Sequence, residues 1–169
     1  MTTATQTGIP AIERGEREGL WFIHDLATVH VRGEETGGAV GIVEIVAPPG
    51  DMPPLHVHQK EDETFYVLEG EVELHVGDSA PVRVLPGACA VAPRGIAHVY
   101  RVVSEEAARF LVVTTPAGFE RFVAEASIPA RENALPPAGA EPDMGRLMAA
   151  AAAAGIDIIA PPGTLPGDV

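Results

Sequence analysis

From Gly19 to about Val113 the chain is a succession of short apolar runs cut by Gly and Pro, with no helical period between them. "LWFIHDLATVHVRG" and "GGAVGIVEIVAPPG" are rich in β-branched and aromatic residues and bounded by turn formers. "ETFYVLEGEVELHVGDSAPVRVLPG" reads as several strands in succession, with turns at Glu69–Gly70 and at Gly77–Pro81. In "EVELHV", Val72, Leu74 and Val76 alternate with Glu71, Glu73 and His75, which gives one buried and one wet face. "GACAVAPRG", "AHVYRVV" and "ARFLVVTT" continue the series. Many short strands with close turns can bury their apolar faces only against one another, so the pattern predicts an all-β sandwich or barrel.

The pattern changes at Thr115. "TPAGFERFVAEAS" predicts a helix with Thr115 as N-cap and Pro116 at its first position, docking through Phe119, Phe122 and Val123. After a Pro/Ala connector over 128–142, Asp143 caps a second helix, "MGRLMAAAAAAG", which stops at Gly155. "IDIIAPPGTLPGDV" follows as a short strand and a Pro-rich tail. The expected organisation is a loose arm over 1–18, a barrel with its first docked helix over 19–127, and a C-terminal segment over 128–169 packed on it. The helix from Asp143 and the following "IDIIAPPG" are expected to dock on the barrel and narrow its mouth, so that deleting 141–169 changes substrate affinity or uncouples oxygen use while metal content persists.

At 169 residues the chain suits one domain with a real core. A net charge of −13 argues against nucleic acid and against anionic membrane surfaces. The first residues lack the apolar stretch of a secretion signal, and no apolar run reaches spanning length. Cys89 is the single cysteine, which fits a reducing compartment, and the expected location is cytoplasmic. Heavy Ala, Gly and Pro use, with Arg far outnumbering Lys, suggests a GC-rich bacterial genome.

The chemistry concentrates in "HVHQKEDE", His56 to Glu63. In a strand, residues i and i+2 face the same way, so His56 and His58 project together, as two ligands of one metal would. A carboxylate beyond the turn could be a third. Glu61 and Asp62 belong to the turn, whereas Glu63 shares parity with Phe65 and Val67 at the head of the inward row, so Glu63 is the choice. Taken alone, an HxH pair is as readily two wet surface histidines.

A second segment weighs against that bland reading. Gly50, His56-x-His58, Glu63 and Gly70 form one spaced set, and Gly87, Pro93-x-Gly95 and His98 form another. The two sets resemble the signature motifs of the cupin superfamily over roughly residues 36–116. Val102 stands where the family often has Asn, at a position that is not a ligand. The resemblance implies a double-stranded β-helix, a jelly-roll barrel, with one divalent metal ion held by His56, His58, Glu63 and His98. Fe, Mn, Ni, Co, Cu and Zn all suit three imidazoles and a carboxylate. The downstream "GFERFVAEA" and "GIDIIAPPG" also resemble quercetin 2,3-dioxygenase-like cupins.

Four protein ligands on an octahedral ion leave two positions, enough for a chelating substrate or for substrate and dioxygen. The first expectation is therefore a metal-dependent dioxygenase of an enolic or phenolic small molecule. A non-redox isomerase or polyketide cyclase is the second, and a binding module without catalysis the third. Glu63 and Tyr100 are the catalytic candidates. Glu63 would be the base for a substrate hydroxyl as well as a ligand. Tyr100 either lines the cavity and bonds the substrate or is a packed core tyrosine. Trp21 and Phe22 read as core or dimer contact, His24, His30 and His75 as surface, and Cys89 as a small buried hydrophobe. The apolar N-terminal strands, read as an uncovered edge, suggest a homodimer.

Overall fold

The structure, a computed structural model, describes residues 17–169. All but the last two positions of the expected N-terminal arm lie outside the described residues. The elements run β1 Gly19–Phe22, β2 Asp25–Val31, β3 Gly41–Ala47, β4 Pro54–His58, β5 Asp62–Glu69, β6 Val72–Val76, β7 Val82–Val84, β8 Cys89–Ala92, β9 His98–Val102, β10 Ala108–Thr115, α1 Phe119–Ala126, β11 Ile128–Pro129, α2 Met144–Ala154 and β12 Ile156–Pro162. They form a seven-stranded sheet, β11-β1-β2-β3-β10-β5-β8, facing a five-stranded one, β12-β4-β9-β6-β7. Every pairing is antiparallel. From β3 to β10 the chain crosses between sheets at every step but β6 to β7. This winding is the double-stranded β-helix expected from the motifs.

Period-two alternation builds the core. In β3, Gly41, Val43, Ile45 and Ala47 are buried and the residues between them only half so. Phe65 and Val67 of β5 and Phe110 of β10, in the same sheet, and Val72 and Leu74 of β6, from the other, complete the core with them. Each large side chain buried in this way contributes roughly 1.5–3 kcal/mol. Gly70 turns the chain between β5 and β6 at φ 71°, and a Cβ there would sit 2.8 Å from the Ala108 backbone. Only glycine meets both demands.

Helix α1 starts later than expected. β10 runs on to Thr115, which pairs with Asp62 and accepts from the Arg94 guanidinium at 3.1 Å. The sheet thus holds the residue read as N-cap, and Gly118 takes that position. The docking face is as expected, with Phe119, Phe122 and Val123 buried. Phe22 packs edge-on against both phenyl rings at 6.3 and 5.5 Å. For α2 the expected caps hold: Asp143 accepts from the Arg146 amide at 2.9 Å, and Gly155 ends the helix at φ 81°.

Three other expectations change. Cys89 is exposed. It lies on edge strand β8, where Ala90 and Ala92 take the inward positions and leave Cys89 and Val91 outside. The connector is not free of the sheet, since Ile128–Pro129 pairs with β1 and the Trp21 indole donates to the Ala134 carbonyl at 2.9 Å. The edge that suggested a dimer is therefore covered by the same chain. Finally, β12 is the neighbour of β4, with Ile156 opposite His58 and Ile158 opposite His56. β12 is thus part of the sheet that carries both histidines.

Candidate metal centre

Two strands of one sheet and one of the other meet at a cluster of four side chains. β4 presents His56 and His58, and β9 sets His98 directly opposite His56. β5, across the barrel, carries Glu63 between Thr114 and Ala92. One ligand atom from each of His56, His58, Glu63 and His98 lies within 4.8 Å of all the others. His58 and His98 are fully buried, and Glu63 retains only 2% exposure.

The hydrogen bonds fix the ring tautomers. His56 Nδ1 lies 2.8 Å from the Pro54 carbonyl and His98 Nδ1 lies 2.9 Å from the Ile96 carbonyl. A carbonyl oxygen only accepts, so both Nδ1 atoms carry protons, and in the neutral ring Nε2 is then the atom with the lone pair. His58 Nδ1 likewise faces the Glu61 carboxylate at 3.2 Å. The Nε2 atoms then meet a second acceptor. His98 Nε2 is 2.7 Å and His58 Nε2 3.5 Å from one oxygen of Glu63. His58 Nε2 is buried without a hydrogen-bond partner. Acceptors this close are reconciled only by a proton or a cation between them, and three imidazoles with one carboxylate suit a divalent transition metal.

Charge states differ within the cluster. Burial, then the neighbouring His98 and His58, pushes His56 down to about 3, so its ring is neutral. Burial alone would lift the Glu63 carboxyl, but the His58 charge and the His98 hydrogen bond outweigh it and hold it at about 2. Burial also opposes charge on His58, where Glu63 and Glu61 prevail and raise its pKa.

Glu61 is the residue that sequence reasoning missed. Read as a turn residue, it is buried and braces His58 from behind. Gly118 makes room for it, because a Cβ at that position would collide with the Glu61 carboxylate. The one available signal was the spacing His58-x-x-Glu61. Asp62 points elsewhere: Arg94 grips it at 3.0 and 2.8 Å and holds its carboxyl at about 2.

Tyr100 is buried, with its ring 6.1 Å from that of Phe65 and 5.1 Å from that of Phe110. Its hydroxyl donates to Asp25 at 2.7 Å and lies 3.2 Å from Asp51. Neither aspartate was singled out from the sequence. Burial, and then the Asp51 charge, raises the Asp25 carboxyl well above its usual range. His30 and His75 pair with Glu44 and Glu73, and His24 is exposed; none belongs to the cluster. Beside the cluster is a cavity of about 40 Å³, whose barrel wall includes His56, Glu63, Phe65 and Tyr100.

The Cupin domain family matches residues 43–114, from within β3 almost to the end of β10. Over 93 residues the chain is 37% identical to quercetin 2,3-dioxygenase of Bacillus subtilis (strain 168), which covers 55% of this chain. The chain spans about a quarter, 27%, of that relative's length. Among solved structures, a sugar phosphate isomerase from a cupin superfamily of Silicibacter pomeroyi superposes with a TM-score of 0.55 at 23% identity, covering 64% of this chain and 77% of its own. Oxalate decarboxylase of Lactobacillus farciminis, in its formate complex, gives 0.53 at 20% identity, covering 60% of this chain and 32% of its own. These two likenesses concern the fold. Residues 43–114 thus match a cupin domain, and the paired motifs and the winding of the barrel agree with that likeness.

Proposed function

We propose that the chain is a metal-dependent oxygenase of an enolic or phenolic small molecule, with His56, His58, Glu63 and His98 as the metal ligands. The observation that carries the reading is the convergence of the histidine Nε2 atoms and one carboxylate, with every Nδ1 engaged elsewhere. Support for oxygen chemistry in particular is the likeness to a quercetin 2,3-dioxygenase. A divalent transition ion held there supplies Lewis acidity toward an enolate or phenolate oxygen and electron transfer toward dioxygen.

The chain's own groups do the rest. The neutral His56 ring and the ionised Glu63 carboxylate are ready to bind without first losing a proton. Glu63 also faces the cavity, where it is the group placed to take the proton of a substrate hydroxyl. Tyr100 contributes its ring to the wall, its hydroxyl being engaged by Asp25. Phe65, together with the rings from α1, keeps water from the site.

The test is metal analysis of the purified protein together with dioxygen uptake over a panel of enols and phenols. Wild type should retain metal and consume dioxygen with turnover, and His56→Ala/His58→Ala should do neither. Turnover with no dioxygen consumed would transfer the site to the non-redox isomerase or cyclase class. Equal metal content in wild type and the double variant would remove the metal centre altogether.

A further inference from the structure

We infer that the C-terminal elements, not the cupin barrel, set which ligand this site accepts: a molecule with one chelating oxygen head and a short hydrocarbon body. The inference rests on the metal-centre reading and narrows its substrate class.

The cavity wall also includes Phe119 and Phe122 of α1, Leu147 of α2, and Ile156 and Ile158 of β12. All five follow residue 114, where the cupin match ends. The β12–β4 register explains how two of them reach the site. Residues directly opposite in an antiparallel pair project to the same face, so Ile156 stands beside His58 and Ile158 beside His56. Phe119 lies with its ring 5.6 Å from that of His58.

Polarity and size then both restrict the ligand. Among the described residues of the lining, the only side chain with a polar atom apart from His56 and Glu63 is Tyr100, and its hydroxyl is engaged by Asp25 and Asp51. A ligand hydroxyl away from the metal would be buried without a partner, which weakens binding by roughly ten-fold or more. The free volume of about 40 Å³ corresponds to about three water-sized spheres. Little room is left beside the metal position for a sugar-like or multi-ring body, whereas a hydroxyketone or diketone with a few carbons beyond the chelating pair places only its tail there.

The experiment uses the full chain loaded with Zn²⁺ and measures Kd by calorimetry for three probes sharing one hydroxypyranone head. Allomaltol carries a methyl group, kojic acid a hydroxymethyl group at the same position, and 3-hydroxyflavone fused and pendant rings. Allomaltol should bind at least about ten-fold tighter than kojic acid, and 3-hydroxyflavone weakest of all. Ile158→Ala and Leu147→Ala should each strengthen 3-hydroxyflavone binding by roughly ten-fold. Ile158→Phe should weaken allomaltol while Zn²⁺ content stays that of wild type, so the idea stays testable if a shortened side chain impairs folding. Normal Zn²⁺ binding with three equal affinities, or with 3-hydroxyflavone tightest, overturns this inference and leaves the metal centre standing. Failure to bind Zn²⁺ overturns both.

Discussion

Glu61, Asp62 and Glu63 are consecutive, yet each carboxylate meets a different partner: the back of His58, the Arg94 guanidinium, and the histidine cluster. Glu61 orients a proposed ligand without being one. Glu61→Ala is expected to weaken metal affinity by roughly 10–100-fold, the usual effect of losing such a brace. Glu61→Gln, which keeps an accepting oxygen, should lose less; competition against a chromophoric chelator measures both. Strand parity was enough to pick out Glu63, because its row is apolar. The same parity said nothing about Glu61, whose burial depends on α1 arriving over the turn. Asp25 was equally illegible, since its partner Tyr100 is 75 positions away. The raised Asp25 pKa means that the fold keeps the protonated form. The stability this contributes is full below the ordinary value of 3.8 and is lost as pH rises through the raised one. Within that window the loss is about 1.4 kcal/mol per pH unit. Asp25→Asn should therefore melt with a flatter dependence on rising pH than wild type. Parallel melting profiles would show that the proton resides elsewhere.

Elements show where local pattern stops being informative. The strands were legible because alternation is a property of each segment by itself. The start of α1 was not, because pairing of Thr115 with Asp62 extends β10 over a local capping signal. β12 was legible as a strand, but its partner was not, since pairing with β4 joins segments about a hundred positions apart. That partnership changes what truncation should do. Removing 141–169 strips β4 of the strand paired along its length and leaves it β9, which meets it at His56 and His98. The shortened chain is expected to lose metal along with substrate affinity, and metal analysis after gel filtration decides. A finer probe is Gly118→Ala at the start of α1. Its new methyl group would displace the Glu61 carboxylate. The expected result is a loss of roughly 1–3 kcal/mol in stability from overpacking, together with weaker metal binding, although no ligand has been changed.

Across the whole molecule the proposed ligands join the two sheets, with three histidines from the five-stranded sheet and Glu63 from the seven-stranded one. An ion bound there cross-links the barrel. Metal at a hundred times its Kd stabilises by about 2.7 kcal/mol, or roughly 5–10 °C in Tm for a chain of this size. Chelation should lower Tm by about that much in wild type and leave His58→Ala unchanged, as calorimetry with and without chelator would show. Assembly is a separate matter. With β11 on the β1 edge, the longer edges left unpaired among the described residues are β8, β7 and β12, and these or a sheet face are where a homodimer would form. No described helix is long and apolar enough to cross a membrane. The histidine anchors have one more consequence, and it concerns rates. Each ring is tethered within three residues of itself, to Pro54, Glu61 or Ile96. Rings aimed by their own neighbours need no incoming ion to turn them. Loading of the apoprotein should then be a simple second-order encounter, its observed rate rising in proportion to metal concentration, with neither a lag nor a plateau.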